Sequence, residues 1–151
     1  MPDVHSLPEL VGGCLCGAVR YVARGRRDRA YACHCAECQT RSGSAFAMML
    51  PVAAAGFMVT GETGSVPQEE ANDIIATLHV CPACLTRLYT ENPLWPELVI
   101  LRVGTLDDSA SVSPAFHLWV QSKQRWLELP AGVPKYVTQP TDPAEWRRLM
   151  R

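Results

Sequence analysis

Seven cysteines stand in three groups along this chain, Cys14-x-Cys16, Cys33-x-Cys35-x-x-Cys38 and Cys81-x-x-Cys84. Thiolates separated by one or two residues are the usual way a chain presents paired ligands to zinc. In an extended segment alternate side chains share one side, so Cys14 and Cys16 can converge on a single ion. The same alternation brings Cys33 and Cys35 together and turns His34 away. A turn after Cys35 then carries Cys38 round as a third ligand.

Seven ligands divide as four plus three. A closed tetrahedral site takes four, whereas three protein ligands leave a position for water or substrate. The outer pairs, Cys14 with Cys16 and Cys81 with Cys84, form the expected structural zinc site. Cys33, Cys35 and Cys38 form the open one, holding a second, more labile and catalytic zinc. Two rivals stand beside this division. Cys81 and Cys84 could be a redox couple, and the trio could be a second structural site completed by His34 or His79. His5 reads as a mobile terminal residue and His117 as one member of an alternating strand.

An odd cysteine count leaves a thiol over in any framework of intrachain disulfides. MPDVHSLPEL shows no apolar core flanked by positive charge, so no secretory signal is expected, and no stretch approaches the roughly 18 apolar residues of a spanning helix. The expected setting is cytoplasmic, where thiols stay reduced and serve metals or catalysis. Fourteen Lys and Arg against fifteen Asp and Glu give a net charge of −1, which argues against nucleic acid as a partner. The one basic run, Arg24-Gly25-Arg26-Arg27-Asp28-Arg29, reads as a solvated turn.

The elements that must position these residues are mostly strands. Ala18–Ala23, Ser44–Leu50, Ile74–Val80, Leu98–Val103 and Phe116–Val120 are short β-branched, aromatic or aliphatic runs punctuated by Gly, Pro, Asp and Ser. Two helices are expected. One covers Ala36–Arg41, and a short C-terminal one opens at Thr141-Asp142-Pro143 and runs through Trp146–Met150. With 151 residues and 48% hydrophobic content, the chain makes a mainly β single domain over 1–151. Strand edges in so small a domain leave homodimerisation open.

Three blocks resemble the glutathione-dependent formaldehyde-activating enzyme family, which includes the centromere protein V relatives. They are Gly12-Gly13-Cys14-Leu15-Cys16-Gly17-Ala18-Val19-Arg20-Tyr21, Cys33-His34-Cys35-Ala36-Glu37-Cys38 continuing through Phe46, and Cys81-Pro82-Ala83-Cys84-Leu85-Thr86-Arg87-Leu88. Val103-Gly104-Thr105-Leu106-Asp107-Asp108 and Phe116-His117-Leu118-Trp119 with Trp126 resemble its C-terminal segments. The resemblance runs from about Gly12 to Tyr136. It implies a β-tent fold, structural zinc on the outer pairs and a second zinc on the trio. It also implies the joining of formaldehyde and glutathione to S-hydroxymethylglutathione, formally a carbon–sulfur lyase run in reverse.

One residue departs from the pattern. Leu85 stands where the family commonly has glycine, so the turn there is expected to be distorted or replaced. On this reading the protein is a zinc enzyme acting on a thiol adduct of a small aldehyde. The open metal position would activate the thiol or polarise the carbonyl. Ser42, Ser44 and Phe46 are candidates for lining the pocket, against a reading as turn and core residues. Trp119 and Trp126 could border the cleft, though core packing is the plainer expectation. A non-enzymatic zinc-stabilised binding module is the main alternative, and redox or metal buffering a weaker one.

Overall fold

The computed structural model describes residues 3–70 and 73–151. In chain order the strands are β1 (Glu9–Gly13), β2 (Arg20–Arg24), β3 (Tyr31–Cys33), β4 (Ala47–Ala53), β5 (Met58–Thr60), β6 (Gly64–Glu69), β7 (Ile75–Val80), β8 (Arg87–Glu91), β9 (Leu98–Arg102) and β10 (Phe116–Leu118). The helices are α1 (Ala36–Ser42) and α2 (Pro143–Met150). The mainly β expectation holds, and both helices form where cap and composition place them. The Asp142 side chain accepts the Ala144 N–H, and Pro143 sits at the start of α2, where its missing N–H costs nothing.

β1, β2 and β5 pair antiparallel into a small sheet. The larger sheet has the order β10-β3-β4-β9-β8-β7-β6, antiparallel except for the parallel β10–β3 pair. Alternation along β9 separates two cores. Val99 and Leu101 point to one core with Leu10, Val19, Tyr21, Leu50 and Val52, which joins the sheets. Leu98 and Ile100 point to the other, with Tyr31, Phe116, Leu118 and the α2 residues Leu149 and Met150. Strand periodicity thus puts neighbours in sequence on opposite sides of one wall.

Several expectations change in detail. The run from Phe116 stays a strand only to Leu118, because Trp119 takes a left-handed backbone (φ 59°) and opens a 3-10 turn at Val120–Ser122. His5 is ordered within a 3-10 turn capped by the Asp3 side chain. The basic run is largely matched locally: Arg24 pairs with Glu9, Arg26 with Asp28, and Arg27 donates to Ser111 Oγ. Trp126 is 72% exposed and so belongs to neither core nor cleft.

Candidate metal centres and the adjoining cleft

Two hairpin connections meet to make the first cysteine set. The β1–β2 loop carries Cys14 and Cys16, and the β7–β8 loop carries Cys81 and Cys84. The Leu15 N–H donates to Thr86 Oγ1 (3.2 Å), tying one loop to the other. The four sulfurs all lie within 4.8 Å of one another, with Cys14–Cys16 at 3.5 Å and Cys16–Cys81 at 3.8 Å. Zinc–sulfur bonds of about 2.3 Å in a tetrahedron require sulfurs about 3.8 Å apart, so the set fits such an ion.

Backbone donors favour thiolates here. Burial works against the Cys14 thiolate, but the Val19 N–H (3.2 Å to Sγ) and the neighbouring thiols outweigh it and lower its pKa. The Thr86 hydroxyl, with the Thr86 N–H, brings Cys84 down to about 5. Leu85 does not distort the turn. It adopts the left-handed conformation itself (φ 61°), its N–H donates to Cys81 O (2.9 Å), and its side chain is 71% exposed. Leucine carries the strain that glycine would avoid, at a cost of roughly 1–2 kcal/mol.

The second set forms where β3 ends and α1 begins. Cys35 is the N-cap of α1 and its sulfur accepts the Cys38 N–H (3.3 Å). Cys33, Cys35 and Cys38 converge with all sulfurs within 4.8 Å. Hydrogen bonds from the Cys33 and Cys38 thiols, then from the Cys38 and Glu37 N–H groups, lower Cys35 to about 2. The same Cys35 thiolate raises the pKa of Cys33. At Cys38 the Cys33 thiol lowers the pKa, but Cys35 and burial outweigh it and raise it to about 12. A divalent cation bound among them would favour the thiolate form of all three. The all-sulfur donor set fits zinc.

His34 points away from the sulfurs, as strand alternation requires. It is fully buried, and its Nε2 lies 2.9 Å from Nδ1 of the buried His117 on β10. Burial first, then the charges of His117 and Lys123, lower His34 to about 4, and burial also lowers His117. His79 instead stacks on Tyr89 and reaches Glu91 (2.7 Å). Neither histidine joins a metal-competent set among the described residues.

The trio opens onto a cleft of about 1830 Å³ between the large sheet and the C-terminal segment, whereas none of the four outer cysteines lines it. Ser42 and Phe46 line this cleft and Ser44 does not. Phe46 packs its ring 5.2 Å from His34, and the Ser44 N–H donates to Ser42 Oγ (3.2 Å), which makes Ser44 a turn residue. Trp119 lines the cleft with Trp95 and Trp146. Five arginines line the cleft, Arg41, Arg87, Arg102, Arg147 and Arg151, and the sequence reading placed none of them there. The available signal was Arg102, a charge closing the apolar run Leu98-Val99-Ile100-Leu101 on the inward alternation.

Comparison with known proteins places this architecture. The fold is shared with a Rhodobacter sphaeroides protein of known crystal structure, with TM-score 0.54 at 19% identity, covering 84% of this chain and 99% of that one. A Halomonas elongata protein, provisionally named a glutathione-dependent formaldehyde-activating enzyme, is 31% identical over 126 residues, 80% of each chain. The family model for the glutathione-dependent formaldehyde-activating enzyme matches residues 9–122, which include all seven cysteines. By that match, this chain belongs to the glutathione-dependent formaldehyde-activating enzyme family.

Proposed function

We propose that this protein joins a small aldehyde to a thiol, with glutathione and formaldehyde as the pair that family membership supports. The reaction adds a thiol S–H across a carbonyl. A carbon–sulfur bond forms, the thiol proton ends on the former carbonyl oxygen, and S-hydroxymethylglutathione is the product. Run in reverse this is a carbon–sulfur lyase reaction. The observation that carries the reading is the placement of Cys33, Cys35 and Cys38 in the cleft wall, with the other four cysteines outside it.

Cys14, Cys16, Cys81 and Cys84 would hold a structural zinc, and Cys33, Cys35 and Cys38 a second one. Bound there, zinc supplies thiol acidification near neutral pH. The chain's own residues do the rest. Cys35, at the N-cap of α1, has its thiol pKa lowered by Cys33 and Cys38 and by backbone N–H groups, and Phe46, Trp119 and Trp146 provide apolar walls. Ser42 lines the cleft beside them, its hydroxyl held in the turn by Gln39 O and the Ser44 N–H. Reduced cysteines of this density suit a cytoplasmic setting.

The test is zinc-edge spectroscopy with and without glutathione, beside exchange NMR of glutathione and formaldehyde. Two zinc ions, one changing its ligands with thiol, and faster exchange that Cys35→Ser removes support the reading. A single zinc indifferent to thiol, with no acceleration of exchange, sinks it.

A further inference from the structure

Arg102 ends β9 on the face that lines the cleft, in one cross-strand row with Met49 and Tyr31. Cys33 lies on that face as well, two residues beyond Tyr31 on β3. The guanidinium is held by a neutral partner, and the charges of Tyr31, Cys38 and Glu70 act on it only through space. Its Nη2 donates to Thr90 Oγ1 (2.8 Å), while Nη1 is buried with no hydrogen-bond partner among the described residues. Among the described residues no carboxylate lies within 4.0 Å of it. A half-buried cation with a buried, unused donor is costly unless something anionic completes it.

Two further arginines stand beside it. Arg87 spends its donors on Arg41 O (3.0 Å) and Gln68 Oε1 (2.8 Å), so it too lacks a carboxylate. Arg41 donates to Glu69 O (3.0 Å) and reaches Glu37 only at 3.8 Å. Glu70 also lines the cleft and accepts from Gln68 Nε2, and it reaches Arg102 only as a through-space charge. Burial first, and then the charges of the other two arginines, push Arg87 down from its ordinary value. The three arginines thus repel one another, an effect that Cys38 offsets in part. A fork of fixed donors is the geometry that grips a carboxylate through two parallel bonds.

We propose that Arg102, supported by Arg87, is a substrate-carboxylate subsite that anchors an anionic thiol so that its sulfur reaches the cysteine trio. This inference rests on the trio's being the reaction site. One strand intervenes between β3 and β9, so the backbones at Cys33 and Arg102 stand about 12 Å apart, from ~4.8 Å per strand and ~3.4 Å per residue. Same-face side chains close part of that gap, and a short peptide at about 3.3–3.6 Å per residue spans the remainder. The substrate class is therefore a thiol whose carboxylate lies several bonds from its sulfur. A neutral thiol would find the trio but not the anchor.

The experiment uses the zinc-loaded protein and binding rather than turnover. Calorimetry would follow S-methylglutathione, which has carboxylates and no free thiol, and separately inorganic phosphate. Visible spectra of the cobalt-substituted protein would follow 2-mercaptoethanol, a neutral thiol. Arg102→Gln should weaken S-methylglutathione at least tenfold and leave mercaptoethanol within twofold. Arg102→Lys, which keeps the charge and guards against misfolding, should fall between wild type and Arg102→Gln. Unchanged S-methylglutathione affinity in both variants, or wild type that binds phosphate but not S-methylglutathione, would overturn the subsite. If S-methylglutathione responds to Arg102 while no thiol perturbs the metal, the subsite stands and the thiol reading of the trio fails.

Discussion

His34 Nε2 and His117 Nδ1 face each other at 2.9 Å, both residues buried, and so join the cysteine trio's own loop to the adjacent edge strand of the large sheet. The outer ring nitrogens, His34 Nδ1 and His117 Nε2, have no partner among the described residues. Removing one ring therefore strands the other. His117→Leu should cost about 1–3 kcal/mol in urea unfolding, and the double change with His34→Leu should cost clearly less than the sum of the singles. Additive costs would show that the pair is only two adjacent core residues.

The two cysteine sets should separate under mutation. Structural zinc sites in small peptides carry roughly 10–16 kcal/mol, so Cys81→Ser should unfold the domain at ordinary temperatures. Cys35→Ser should leave the circular dichroism spectrum intact and lower bound zinc from two per chain to one. Similar unfolding in both variants would make the trio structural.

Leu85 offers a gain in stability. Glycine would relieve a left-handed strain of about 1–2 kcal/mol and give back part of it as unfolded-chain entropy. Leu85→Gly should thus raise stability by about 0.5–1 kcal/mol with the zinc content unchanged. A loss would mean that the exposed leucine makes a contact worth more than its backbone strain.

Helix α2 closes one side of the cleft. Tyr136 Oη donates to Glu145 Oε1 (2.6 Å), Arg151 pairs with Glu97, and Leu149 and Met150 are buried against Phe116 and its neighbours. Deleting residues 141–151 uncovers those side chains and should cost about 3–6 kcal/mol, at ~1.5–3 kcal/mol for each. Binding of a hydrophobic dye should rise in parallel. A truncated chain with wild-type melting temperature and no dye binding would place the second core elsewhere.

Spacing alone made the cysteine sets readable, because ligand convergence depends on local geometry over a few residues. β2, β4, β7 and β9 were readable too, since composition and punctuation mark them, whereas β1, β6 and β8 were missed because glycine, proline and charged residues dilute their apolar pattern. Strands of three residues, such as β3 and β5, carry too few positions for a period, and pairing decides them. The break at Trp119 was hidden because a bulky residue with positive φ has no local signature. The same holds for Leu85, where the family glycine's conformation survives without the glycine. The arginine cluster was invisible for a different reason. Arg41, Arg87 and Arg102 come from α1, β8 and β9, and only the order of the large sheet makes them neighbours.

The odd–even division of β9 has a consequence for how this protein can change. Val99 and Leu101 belong to the core between the sheets, and Ile100 and Arg102 to the cleft. Ligand preference can therefore drift at alternate positions while the intervening ones stay fixed, and a substitution on one face leaves the other intact. An insertion or deletion of a single residue does the opposite, exchanging the two roles along the whole strand at once. Diversification at this wall is thus open to substitution and closed to changes of length.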